Sequence, residues 1–171
     1  MTTPIPGLAG ARLWAAARFP YLASGIFATQ VTAAPESSTV TVDEHWRLRA
    51  DPDLAAGWTS AQFGSVLVHH VCHLLREHAG RARALGIRPG DTREWTRAAD
   101  AEINDDLIPA GLELPGDPVL PHHLGADPGG LAEQYFHAAL DHAGGDAHDG
   151  PHFGSGADGA DADCGSGADG Q

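Results

Sequence analysis

His69 and His73 stand four residues apart inside an apolar run, and no other feature restricts the fold of this chain as much. Four residues is about one turn of α-helix, so both imidazoles leave the same face and can share a metal ion. The stretch from Phe63 to Val68 before them is largely apolar, and Leu74 and Leu75 continue it. This pattern predicts a buried helix over about residues 61–79, with Thr59 or Ser60 as its cap. Burying two imidazoles without partners is costly, so apolar flanks favour ligands over surface decoration.

A catalytic zinc site takes three protein ligands and keeps one position open. A second helix is predicted over 92–107, with Ala98, Ala99, Ile103 and Leu107 inward. Asp100 shares the side of Ile103 and Leu107, and Asn104 follows one turn later, so Asp100 is the preferred third ligand and Glu102 the next. Asp105 and Asp106 read as a solvated face. His78 lies five residues past His73, off the shared face of a straight helix; it reaches the pair only if the helix ends near Arg76, and it could otherwise assist a substrate or simply be exposed. Glu77 reads as a salt-bridge partner of Arg81.

In the zinc-peptidase pattern H-E-x-x-H the glutamate is the general base. Here that position is His70. An imidazole near neutral pKa can serve as a base, so three readings compete: a replacement base, an alternative ligand, or a lost catalytic function. Cys72, inside the motif, reads as a small core residue.

The rest of the chain sorts into a lead-in at 1–10, a metal-binding domain at 11–140 and a Gly/Asp-rich tail at 141–171 expected to be disordered. The tail contains seven aspartates and no Lys, Arg, Leu, Ile or Val. Helices are expected over 11–19, ended by Phe19-Pro20, over 22–29, and over 131–140, with a strand or hairpin over 39–49 and a turn at 33–38. There is no lysine, and ten arginines face 23 acidic residues for a formal charge of -13, which argues against a nucleic-acid partner. No basic cluster precedes a sustained apolar run, so neither a signal peptide nor a membrane span is expected. Two cysteines are too few for a disulfide framework, and a reduced, cytoplasmic setting fits. The scattered histidines His122, His123, His137, His142, His148 and His152 read as solvent-exposed.

The start Arg12-Leu13-Trp14-Ala15-Ala16-Ala17-Arg18-Phe19-Pro20-Tyr21-Leu22, the strand ending His45-Trp46-Arg47-Leu48, the histidine helix and Ala99-Asp100-Ala101-Glu102-Ile103-Asn104-Asp105-Asp106-Leu107 together resemble a known family. It is the bacterial zinc metallopeptidase-type domain that stands N-terminal to a von Willebrand A-like domain. The tail piece Asp163-Cys164-Gly165-Ser166-Gly167-Ala168 is similar to the segment joining the two domains. The resemblance implies an α+β, zincin-like fold, mainly helical, with a small sheet or hairpin and a metal-site helix. It implies Zn2+ on His69 and His73, with the third ligand from the acidic helix, and hydrolysis of peptide bonds. The family's Glu corresponds to His70 here, and a partner protein would supply the von Willebrand A-like domain. The expected function is therefore a zinc-dependent hydrolase with a variant H-H-x-x-H motif, acting on a peptide or small molecule with His70 and His78 as catalytic candidates. The alternatives are a metal-binding module without catalysis, or a specialised-metabolism enzyme using the same site for other chemistry.

Overall fold

The computed structural model describes residues 4–145 and 165–166. The expected disordered tail falls mostly on residues 146–164 and 167–171, which lie outside the described residues.

The architecture is mainly helical with a small open sheet. Helix α1 (Leu8–Arg18) ends where Pro20 begins a 3-10 turn (Pro20–Leu22), and α2 (Ala23–Ala28) follows. Strands β1 (Gln30–Ala33), β2 (Val40–Val42) and β3 (Arg47–Ala50) come next; β3 is central, antiparallel to β2 and parallel to β1. The hairpin expected over 39–49 is thus β2–β3, turning through Asp43–Trp46, with Trp46 in the left-handed region at φ 61°. Strand β1 was not expected. Its residues are half-exposed or exposed, so it lacks the inward apolar stripe that marks β2 and β3.

Helix α3 (Pro52–Ala56) is capped by Asp51, whose carboxylate accepts from the Asp53 and Ser38 amides. The central helix α4 (Ser60–Leu75) starts in a capping box between Thr59 and Gln62. It is buried without interruption from Phe63 to His73. One face meets the inward side chains of the sheet, Val40, Val42, Leu48 and Ala50, through Phe63, Val66 and Leu67. Another packs Val68, Val71 and Cys72 against Phe19, Leu22, Ile26 and Ile103. Gly64 permits α1 to cross closely, because a Cβ there would meet Trp14 Cε3 at 2.4 Å and the Ala11 carbonyl at 2.9 Å.

Helix α4 stops at Leu75, short of residue 79. Glu77 takes a left-handed conformation, φ 54°, and α5 (His78–Leu85) sets off in a new direction. Helix α6 (Thr92–Leu107) has the bounds expected for the acidic helix. It packs on α7 (Ala132–Gly145) through Trp95, Ala98, Ala99, Tyr135 and Phe136. Two further 3-10 turns, Pro89–Asp91 and Pro121–Leu124, flank α6. Residues Gly165–Ser166 form β4, which pairs in parallel with the outer edge of β2. Among the described residues no helix is long and apolar enough to cross a membrane.

Candidate metal centre

Helices α4 and α6 face each other across the site. His69 and His73, one turn apart, both project toward α6, where Asp100 and Asn104 occupy successive turns of the inward face. Asp100 Oδ1 lies 3.2 Å from His69 Nε2 and 2.9 Å from His73 Nε2, and the two Nε2 atoms are 2.9 Å apart. All three residues are buried, and they form the described cluster able to hold a metal ion. The i,i+4 pair and its preferred third partner are thus brought together in space.

The hydrogen bonds behind the cluster decide what its front atoms offer. Asn104 Nδ2 donates to the Val119 carbonyl at 2.9 Å, which fixes the amide so that Oδ1 faces His69 Nδ1 at 3.1 Å. An amide oxygen only accepts, so His69 carries its proton on Nδ1 and leaves Nε2 as a bare lone pair. His73 Nδ1 lies 2.9 Å from His78 Nδ1, and one of the two must donate. His78 Nε2 makes no hydrogen bond, but the Glu102 carboxylate stands 3.5 Å away. A carboxylate favours an N–H there, which makes His78 Nδ1 the acceptor and His73 Nδ1 the donor. His73 Nε2 is then bare as well.

Two imidazole lone pairs and a carboxylate oxygen thus converge with no hydrogen among them, an arrangement that calls for a cation. Tetrahedral zinc with bonds of about 2.0–2.1 Å spaces its ligand atoms roughly 3.3 Å apart, close to the distances found. The donor set, two imidazoles and a carboxylate, suits zinc and its neighbouring transition metals. Burial pushes the His73 imidazole down to about 3 despite the opposing influence of Asp100, so it is neutral at physiological pH. Burial would raise the Asp100 carboxyl, but the adjoining imidazoles of His69 and His73 hold it down to about 2.

Glu102, the second candidate third ligand, stands outside this trio. Arg81 Nη2 reaches it at 2.9 Å, Arg76 Nη1 at 3.1 Å and the Ala132 amide at 2.6 Å. Burial alone would raise its carboxyl; His78, Arg81 and the Ala132 amide hold it well below the usual range. Arg81 also pairs with Glu133 of α7, so its side chain serves Glu102 and Glu133 rather than Glu77. His78 is buried and sits behind His73, brought there by the break at Glu77; burial pushes its imidazole down. No residue pattern announced Val119, Arg76 or Glu133, whose roles depend on loop and helix placement.

His70 is buried beside the cluster, its ring centre 5.5 Å from that of His69 and 6.1 Å from that of His73. Its Nδ1 lies 2.8 Å from the Val66 carbonyl and its Nε2 3.2 Å from the Val40 carbonyl of β2. Burial and the neighbouring His69 push its imidazole down to about 4. Cys72 packs in the core with its thiol pushed up to about 11 by burial. A cleft of about 310 Å³ opens beside His73 and His78, lined also by Val42, Asp43, Trp46 and Glu77. His122, His123, His137 and His142 are exposed, while His148 and His152 lie outside the described residues.

Fold and site together define a small, mainly helical domain built round a buried His-His-Asp cluster able to hold a metal ion. A family model described as "Putative metallopeptidase domain" matches residues 7–171, and the chain belongs to that family. No curated protein and no solved structure matches the chain.

Proposed function

We propose that this protein is a zinc-dependent hydrolase of the metallopeptidase type. One observation carries the reading: the hydrogen bonds behind His69 and His73 leave both Nε2 lone pairs facing the Asp100 carboxylate across a gap of metal-site size. Zinc bound there would polarise a scissile carbonyl and lower the pKa of a water. His69, His73 and Asp100 hold the ion, and Asn104 and His78 fix the two rings. Of the two other imidazoles beside the trio, His78 is engaged behind His73, which leaves His70 as the candidate base. With Nδ1–H donating to the Val66 carbonyl, Nε2 would be the nitrogen that takes a water proton once it turns from the Val40 carbonyl 3.2 Å away. The cleft beside His73 receives the substrate, a peptide or small molecule. The cysteine usage supports a cytoplasmic setting, and the family resemblance supports a von Willebrand A-like partner domain.

A second reading, a metal-holding module without hydrolysis, draws on His70 itself. Both its ring nitrogens face backbone carbonyls, and the glutamate of the usual motif is gone. The experiment is zinc titration of the full chain by calorimetry, followed by peptide-library digestion read by mass spectrometry. One bound zinc with cleavage lost in His70→Ala supports the hydrolase. One bound zinc and no cleavage supports the module. No zinc bound at neutral pH refutes both.

A further inference from the structure

The outer edge of β2 is the strand edge nearest the metal cluster. The Asp43 amide donates to the Arg47 carbonyl and the Asp51 amide to the Thr39 carbonyl across the β2–β3 hairpin, so residues 39 and 43 turn their backbone groups toward β3. Alternation then turns those of Val40 and Val42 to the opposite edge. The contact between the Val40 carbonyl and His70 Nε2 agrees with that direction. Across from this edge runs α6, the helix that carries Asp100. A slot between β2 and α6 with the histidine helix beneath it suits an extended peptide, which gains backbone hydrogen bonds by adding to a sheet edge.

That slot is occupied. Gly165 and Ser166 pair in parallel with Thr41 and Val42 and also lie against α6. The family match runs on through these residues to 171, so the segment belongs to the domain by sequence as well. Glycine and serine are both small, the composition that lets a backbone pass through a narrow space.

We propose that Gly165–Ser166 holds the place of an extended peptide substrate on the β2 edge, so that the chain's own C-terminal segment competes with substrate for the metal site. This rests on the peptidase-type reading above and deepens it. Substrate binds in the extended form along β2, and access requires the segment to leave. Segments with small residues at the positions of Gly165 and Ser166 fit the slot best.

The test compares the full chain with its Gly165→Pro variant, in which the proline ring removes the backbone donor that this register turns toward the Val40 carbonyl. Amide exchange at Val42 should be at least about tenfold faster in the variant, with Thr32 in the β1–β3 pair unchanged. A chelator should also strip zinc several-fold faster from the variant. A synthetic peptide of residues 161–171 should restore slow stripping. Equal Val42 exchange and equal stripping in two proteins that each bind one zinc overturn the proposal and leave the metal site standing. Failure of both proteins to bind zinc overturns the metal reading and the proposal with it.

Discussion

Replacing Asp100 by asparagine separates a ligand from a structural carboxylate more sharply than any other change. Asp100 is buried and its Oδ1 faces the Nε2 atoms of His69 and His73 at 3.2 and 2.9 Å. Removing one member of a buried charged cluster costs about 3–5 kcal/mol. At about 1.4 kcal/mol per factor of ten, metal affinity should fall roughly 10²–10³-fold. With metal at 1,000 times the wild-type Kd, linkage stabilises the wild type by about 4 kcal/mol and the variant by only about 1 kcal/mol. For a chain of this size that is roughly 8–16 °C of metal-induced Tm shift against about 2–4 °C.

The metal-free proteins should behave differently. In the unliganded wild type the carboxylate faces two lone pairs, whereas the side-chain amide of the Asp100→Asn variant could donate to one of them, a hydrogen bond worth about 1 kcal/mol. The metal-free Asp100→Asn protein should therefore match or exceed the stability of the metal-free wild type. Differential scanning calorimetry with and without zinc, after exhaustive chelation, reads both quantities. An equal metal-induced shift in the two proteins would falsify the ligand assignment. A loss of several kcal/mol in the metal-free variant would also defeat it, because Asp100 would then be the partner of a protonated imidazole.

His78→Phe, which removes the acceptor behind His73, should weaken zinc binding about 10–100-fold, and His78→Asn should recover part of it; calorimetric titration that finds Phe and Asn alike would dismiss the positioning role. The metal-free protein should lose stability in mild acid. The His70 imidazole is pushed down from 6.5 to about 4 and that of His73 to about 3, so the unfolded chain binds protons first. This stabilisation is full above about pH 6.5 and falls as pH drops toward 4, by a few kcal/mol in all; a urea midpoint flat between pH 7.5 and 4.5 would contradict it. Gly64→Ala should cost about 1–3 kcal/mol by forcing α1 off α4, since the Ala11 carbonyl is backbone and cannot turn aside; an unchanged urea midpoint would show that the helices re-space freely.

What could be read from the sequence was local. The bounds of α6 came from its own periodicity, and the start of α4 from the cap candidates Thr59 and Ser60, of which Thr59 is the cap. The hairpin came from the alternation of Val40 and Val42 and of Trp46 and Leu48, although Trp46 itself lies in the turn before β3. Strand β1 carries no such alternation and is held by its pairing with β3, which no window around residues 30–33 contains. The extension of α5 to Leu85 was hidden by its run of arginines. That helix is polar all round, and it is anchored by buried His78 and Ala82 and by the ion pairs of Arg81 with Glu102 and Glu133.

The candidate metal ligands and the residues behind them differ in the same way. His69, His73 and Asp100 follow from helical spacing, because two straight helices each put a fixed face forward. The place of His78 follows from one residue, Glu77, taking a left-handed conformation that costs a non-glycine residue about 1–2 kcal/mol. A straight α4 would have carried His78 away from His73 and left His73 Nδ1 without the acceptor it has here, 2.9 Å away. The break also aims Arg81 at Glu102, and Glu102 in turn favours the His78 tautomer that accepts from His73. Strain at Glu77 is thus offset by the set of contacts it makes possible, and those contacts fix which atom His73 presents to a metal. The ligands can be found by counting residues, whereas their chemistry depends on a backbone turn that no spacing rule predicts.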